Sequence, residues 1–209
     1  MPIEKIDQLQ DIHLDVLKEI GNIGSGNAAS ALSSMLNCET DISVPVVKLL
    51  DFDDAVNFLG GPERVVIGML INIHGDINGM MLYVIQHSFA SQMTQGVFGT
   101  SIEDLLSLNE MEHSFIQEIG NILSASYINA IASLTGLTID ISVPNMTVDM
   151  VGAILSVPAI QFARVGNKVL FIDDSFTIGQ NHEKINSNMI LIPEMESLQT
   201  LFSKLGVEI

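Results

Sequence analysis

The residues of this 209-residue chain best suited to chemistry form two matched triads. Asp15, Glu19 and Asn22 are spaced four and then three apart, and Ser114, Glu118 and Asn121 repeat that spacing. On a helix, residues three and four apart are surface neighbours, with Cβ atoms about 5–6 Å from each other. At ~100° per residue, with Asp15 at zero, Glu19 falls near ~40° and Asn22 near ~340°. Val16, Leu17, Ile20 and Ile23 gather on the opposite side, between ~80° and ~200°. The second triad is opposed in the same way by Phe115, Ile116, Ile119 and Ile122. A carboxylate in such a stripe can pair with a cation, and a carboxamide donates and accepts at once, so it can hold a water molecule. One such stripe is ordinary for the wet face of an amphipathic helix.

The second stripe changes the weight of the first. The segment DVLKEIGNIGSGNAASALSSMLNCETDISVP begins at Asp15, and SFIQEIGNILSASYINAIASLTGLTIDISVP begins at Ser114, an offset of 114 − 15 = 99. The two agree without a gap at 13 of 31 positions, which marks a duplication of a unit of about half the chain. Exposed positions drift freely after a duplication, yet Glu and Asn are kept in both copies. Over the same stretch Gly24, Gly26 and Asn27 have become Leu123, Ala125 and Ser126. Asn is a mediocre helix former, so propensity does not account for its retention. Gly21 and Gly120 share a wheel position beside the apolar face, which predicts close approach of a neighbouring helix, including each other across a pseudo-axis. Pro45 and Pro144 end the DISV run in each copy and read as strand termini or edges.

The elements that position these residues follow from periodicity. Residues 7–24 and 26–36 read as helices, and Ile42 to Val47 as a strand ending near Pro45. Arg64 to His74 and Asn78 to Gln86 read as strands joined by a hairpin, and 87–98 as a helix. Residues 101–112 form an acidic connection. The pattern then returns as helix 110–134, strand 138–143, a mixed segment 147–157, and strands near 159–165 and 168–173. Strand Met189 to Ile192 and a helix over 194–205, stopped by Gly206, close the chain.

Composition removes several classes of partner. Lys and Arg number 8 against 25 Asp and Glu, a formal net charge of −17, so nucleic acid and anionic membrane surfaces are disfavoured. A partner presenting basic groups is the natural complement. The uncharged run Ile119 to Ile139 carries Asn121, Ser124, Ser126, Tyr127, Asn129, Ser133 and Thr135, too polar for a spanning helix, so no membrane insertion is expected. The single Cys38 cannot form an internal disulfide, and the opening MPIEKIDQLQDIHLD has no apolar signal region, so the expectation is a cytoplasmic protein.

Other motifs fall away on inspection. Gly24-Ser-Gly26-Asn-Ala-Ala29 matches a dinucleotide-binding pattern in letters, but it follows a helical stretch instead of a strand. His13, His74, His87, His113 and His182 show no metal-ligand spacing. Asp51, Asp53 and Asp54 lack the Gly and terminal Glu of a calcium loop, and Cys38 aligns with Leu137 as a small core residue.

Asp or Ser, three residues, Glu, two residues, Asn, then 22 residues and Pro resembles the signature of the CheC/CheX/FliY family of bacterial chemotaxis phosphatases. Both copies fit it, as Asp15, Glu19, Asn22, Pro45 and as Ser114, Glu118, Asn121, Pro144. The length and the two complete sites look like the CheC branch, since CheX-like members carry one site and FliY-like members add a flagellar-switch domain. The resemblance implies hydrolysis of the aspartyl phosphate of the response regulator CheY. Asn22 and Asn121 are expected to position the attacking water, and Glu19 and Glu118 to pair with the regulator's Lys. Asp15 and Ser114 are expected to dock or support. No metal or cofactor of its own is implied, because the regulator brings Mg²⁺. A second implied partner is the receptor deamidase CheD, with Asp149, Val151 and Ile154 as the expected contacts, although the two apolar residues suit a core as well. The alternatives are a non-catalytic adaptor for phosphorylated CheY or CheD, and a flagellar-switch component of FliY type. The expected fold is α+β: a single domain over residues 1–209 with an internal duplication and pseudo-two-fold repeats (about 7–100 and 106–205). An antiparallel-dominated sheet is expected, with the two long site-bearing helices on one side, its strand order taken from the family.

Overall fold

The computed structural model describes residues 5–165, 168–178 and 184–207, with backbone alone over 160–165. Its first half runs α1 (Asp11–Leu36), β1 (Thr40–Ile42), β2 (Val46–Asp51), α2 (Phe52–Phe58), β3 (Val65–Gly75), β4 (Gly79–Ile85) and α3 (His87–Phe98). The second runs α4 (Glu110–Thr135), β5 (Ile139–Ile141), β6 (Asn145–Met150), α5 (Val151–Val165), β7 (Lys168–Ile178), β8 (Lys184–Pro193) and α6 (Met195–Lys204). All strand pairs are antiparallel. Both β1 and β2 pair with β7, while β5 and β6 pair with β3, so each half supplies the edge of the other's strands. The centre is β4 against β8. Asp41 pairs with Thr177 and Asp140 with His74, so β3 and β7 positions correspond at 177 − 74 = 103. Carried through Ile67↔Ile85 and Leu170↔Leu191, the offset becomes 191 − 85 = 106 in β4 and β8. Tyr83 pairs with Met189, which is also 106 residues away, so the pseudo-dyad passes between them.

Period-two alternation divides the sheet between two cores. Met81, Tyr83, Leu170, Ile172, Met189 and Leu191 face α1, α4, α3 and α6. Leu82, Val84, Phe171, Ile190 and Ile192 face α2 and α5. The site helices thus share one face of the sheet.

Matching caps fix the two long helices. The Gln10 N–H donates to His13 Nδ1 at 2.9 Å, and the Asn109 N–H donates to Glu112 Oε2 at 2.9 Å. His13 and Glu112 are 99 apart, so the same position closes each helix start. Asn37 and Gly136, also 99 apart, end the helices in the left-handed region at φ 51° and 69°.

Several expectations change here. Gly24 and Gly26 do not divide α1, which is one helix of 26 residues. Packing holds it together: a Cβ on Gly24 would stand 3.0 Å from Tyr127 Cα, so α1 and α4 come into close backbone contact at Gly24. Gly21 and Gly120 do not meet each other, although Gly21 has the Tyr127 ring of α4 3.7 Å from a built Cβ. Gly21 lies under the Pro45 ring, 2.8 Å from Cγ for a built Cβ, and Gly120 takes the Met69 sulfur. Residues 159–165 are helix, not strand, because Val151, Ile154, Leu155 and Pro158 bury one face at helical spacing. Asp53 and Asp54 form the first turn of α2, where carboxylates suit the helix dipole.

Gly24→Leu, which copies Leu123, should destabilise the fold by about 3 kcal/mol through overpacking at the crossing. Adding Tyr127→Ala should recover part of the loss. The double variant should fall short of the summed single costs by at least about 1 kcal/mol in denaturant melts.

Candidate functional site

Both triads sit on the solvent side of their helices. Asp15, Glu19 and Asn22 are exposed on α1; Ser114 and Glu118 are exposed and Asn121 is half-buried on α4. None of the six side chains hydrogen-bonds to a described residue, so the carboxylates and carboxamides are available to an incoming molecule. Directly beneath, Leu17, Ile20, Ile116 and Ile119 are buried and set the rotation of each helix.

The DISVP segments support the stripes through a shared irregularity. Between Ile42↔Phe176 and Val46↔Asp173, β1 and β2 have three residues where β7 has two. Between Ile141↔Ile73 and Asn145↔Leu70 the count is the same. Each edge therefore carries a one-residue bulge at Ser-Val-Pro, anchored by Ser43 N–H to Ser175 O at 2.9 Å and Ser142 N–H to Asn72 O at 3.0 Å. Pro lacks the N–H a ladder would need, so it suits the bulge. Pro45 rests on Gly21, next to Asn22. The Pro144 carbonyl accepts from Gln117 Nε2 at 2.7 Å, next to Glu118.

The family model described as a CheC-like family matches residues 12–49 and 111–148, which hold both triads and both bulges. The CheY-P phosphatase CheC of Bacillus subtilis is 34% identical over 203 residues, 96% of this chain and 97% of that protein. The chain belongs to the CheC-like family. A second CheC-like relative, the putative CheY-P phosphatase CheC1 of Halobacterium salinarum, is 26% identical over 64% of this chain and 67% of its own length. The fold matches that of Thermotoga maritima FliY, with a TM-score of 0.75 at 20% identity over 95% of this chain and 98% of that one.

Within this CheC-like fold the other expected residues are dispersed. Asp149 is exposed on β6, on the opposite edge from α1. Val151 and Ile154 are buried in the core under α5, and Ile154 packs onto Gly68, where a Cβ would stand 2.7 Å from its Cγ2. Val151 is fully buried and Ile154 is 4% exposed, with Ile154 lining a pocket of about 150 Å³ beside Gly68, Val157 and Pro158. Cys38 packs against the main core. His87 Nε2 pairs with the Ile102 carbonyl at 2.8 Å, and His182 lies outside the described residues. Among the described residues no three His, Cys, Asp or Glu side chains converge as metal ligands, and no helix is long and apolar enough to cross a membrane.

The sequence gives no sign of a polar group buried under the site helices. Ser25 Oγ donates to Asp174 Oδ1 at 2.9 Å across 149 residues of sequence, tying α1 to β7 one turn beyond Asn22. Asp174 is 7% exposed. It lines a cavity of about 10 Å³ with Tyr83 and Tyr127, room for about one water molecule. The Tyr127 hydroxyl has no partner among the described residues. Burial pushes the Asp174 carboxyl up from 3.8 to about 6; the Ser25 hydrogen bond pulls it down and Asp173 pushes it up. Burial, and then Asp174, push the Tyr127 and Tyr83 hydroxyls well above their usual value.

Because the folded carboxyl holds its proton more tightly than the unfolded one, its stabilising contribution is full below pH 3.8 and is lost as pH rises through about 6. Asp174→Asn should therefore melt a few degrees above the wild type at about pH 8, and the gap should close as pH falls to about 4. Thermal melts across that range measure it.

Proposed function

We propose that this chain is a chemotaxis phosphatase that hydrolyses the aspartyl phosphate of a CheY-type response regulator, once at each triad. The observation that carries the reading is the pair of solvent-facing Glu-x-x-Asn stripes, kept in both halves without a hydrogen-bond partner among the described residues. The name of the Bacillus subtilis relative points to the same substrate.

Phosphoryl transfer asks for positioning and charge compensation more than for covalent help. An acyl phosphate in a regulator already has its metal and its cation; what speeds its loss is an ordered water in line with the phosphorus. Asn22 and Asn121 supply that order, since one amide accepts from the water and donates to the phosphoryl oxygens. Glu19 and Glu118, one turn away, pair with the regulator's Lys and fix the helix against its site. Asp15 and Ser114, a further turn back, steady the docked helix. The Mg²⁺ belongs to the substrate. The net charge of −17 favours encounter with a basic surface.

Binding to CheD is part of the proposal. With Val151 and Ile154 inside the core, Asp149 is the member of the expected contact set left on the surface.

Phosphate loss from CheY, measured with substoichiometric protein, tests the reading. Asn22→Ala with Asn121→Ala should slow the catalysed rate roughly 100-fold while binding persists. Each single variant should keep the turnover of the untouched site. A double variant as fast as the wild type removes the water-positioning assignment. A wild type that binds phosphorylated CheY without shortening its lifetime marks an adaptor instead.

A further inference from the structure

The stripes alone are poorly equipped to dock a protein. Ion pairs between solvated side chains contribute about 0–1 kcal/mol, so a Glu–Lys contact leaves most of the affinity to be found elsewhere. Apolar burial is the general source, and apolar side chains that flank a polar contact also exclude water from it.

Two exposed apolar positions recur at the 99-residue offset beside the triads. Ile12 is 56% exposed and Met111 is 64% exposed, each three residues before Asp15 or Ser114. Ile12 falls near ~60° on the wheel, in line with Glu19 at ~40°, so it extends the stripe by one turn. Val44 is 54% exposed and Val143 is 76% exposed, each at a bulge and each just before the retained Pro. A bulge re-aims side chains and is common beside active sites, and here it turns Val44 and Val143 out of the edge ladder. Pro45 on Gly21 brings the first bulge against α1 at Asn22, and the Gln117 bond brings the second against α4 at Glu118. Each polar stripe is thus bracketed by an apolar residue at the helix start and another at the bulge. From Ile12 to Asn22 the helix rises about 15 Å, a span that fits one protein footprint.

We infer that Ile12 and Val44, and Met111 and Val143, are the apolar docking rim of the two sites, and that their occupant is the phosphorylated response regulator itself. This rests on the proposed function and adds the surface that gives it affinity. The complementary surface on the regulator is an ammonium group ringed by apolar side chains: the Glu takes the charge and the rim covers the ring.

The test is a titration of the full chain with CheY loaded with beryllofluoride, a stable phosphoryl mimic. Val44→Ser with Val143→Ser should raise Kd about tenfold, and Ile12→Ser with Met111→Ser should do the same. Val44→Ile with Val143→Ile should bind like the wild type. Thermal melts should be unchanged in all three, since the positions are exposed. Serine variants that bind as tightly as the wild type overturn the rim and leave the catalytic reading intact. A wild type that binds without accelerating phosphate loss, and whose serine variants bind weakly, overturns the catalytic reading and supports the rim. A wild type that does not bind overturns both.

Discussion

The hydrogen-bond ladders along β3 and β7 impose the constraint on which the molecule rests. Each strand has its neighbour in sequence on one side and an edge from the other half on the opposite side. A half alone would present an unpaired strand edge and an uncovered apolar face, both costly in water. Exchange of edges removes both problems and fixes where α1 and α4 cross. The rotation of each helix, and so the direction of its Glu and Asn, is set by core contacts that the two halves make jointly.

Differences between the halves fall where this joint packing allows them. Gly24 and Tyr127 meet at the crossing, while the equivalent positions, 99 away, hold Leu123 and Ala28. All four line the same small cavity. A small residue faces a large one on each side, so total volume is kept while symmetry is lost. The same cavity holds Asp174, whose counterpart at an offset of 103 is Ile71, a fully buried apolar residue. At the crossing and this cavity the interior has diverged, while Ile20 and Ile119 beneath the stripes, and the solvent-facing Glu and Asn, have not. Interior substitution answers to neighbours within the chain, which can change together. The stripes have no hydrogen-bond partners among the described residues, and their constancy points outward.

Local signals in the sequence carried most of the architecture. The helix period of α1 and α4, the hairpin of β3 and β4 and the duplicated stripe were legible because each depends on residues close in the chain. Helix α5 was hidden by Pro158, although Val151, Ile154 and Leu155 already followed the helical period. Helix α2 was hidden by its shortness, despite the acidic first turn at Asp53 and Asp54. The partner of Gly21 was out of reach, because a wheel gives a direction and not what lies in it. The Ser25–Asp174 bond and the one-residue bulges depend on strand register between distant segments, which no local pattern encodes.

Edge exchange also bears on how the chain is made. Val46 waits for Asp173, which is 173 − 46 = 127 residues further along. At ribosomal speeds that is roughly 6–25 s during which α1, β1 and β2 have emerged without their partner strand. The nascent first half must stay loose for that interval, and an early compact structure that closed its own edge would have to reopen. Long-range pairing of this kind slows folding, so the protein's vulnerable period falls during synthesis, before either stripe has a rigid helix beneath it.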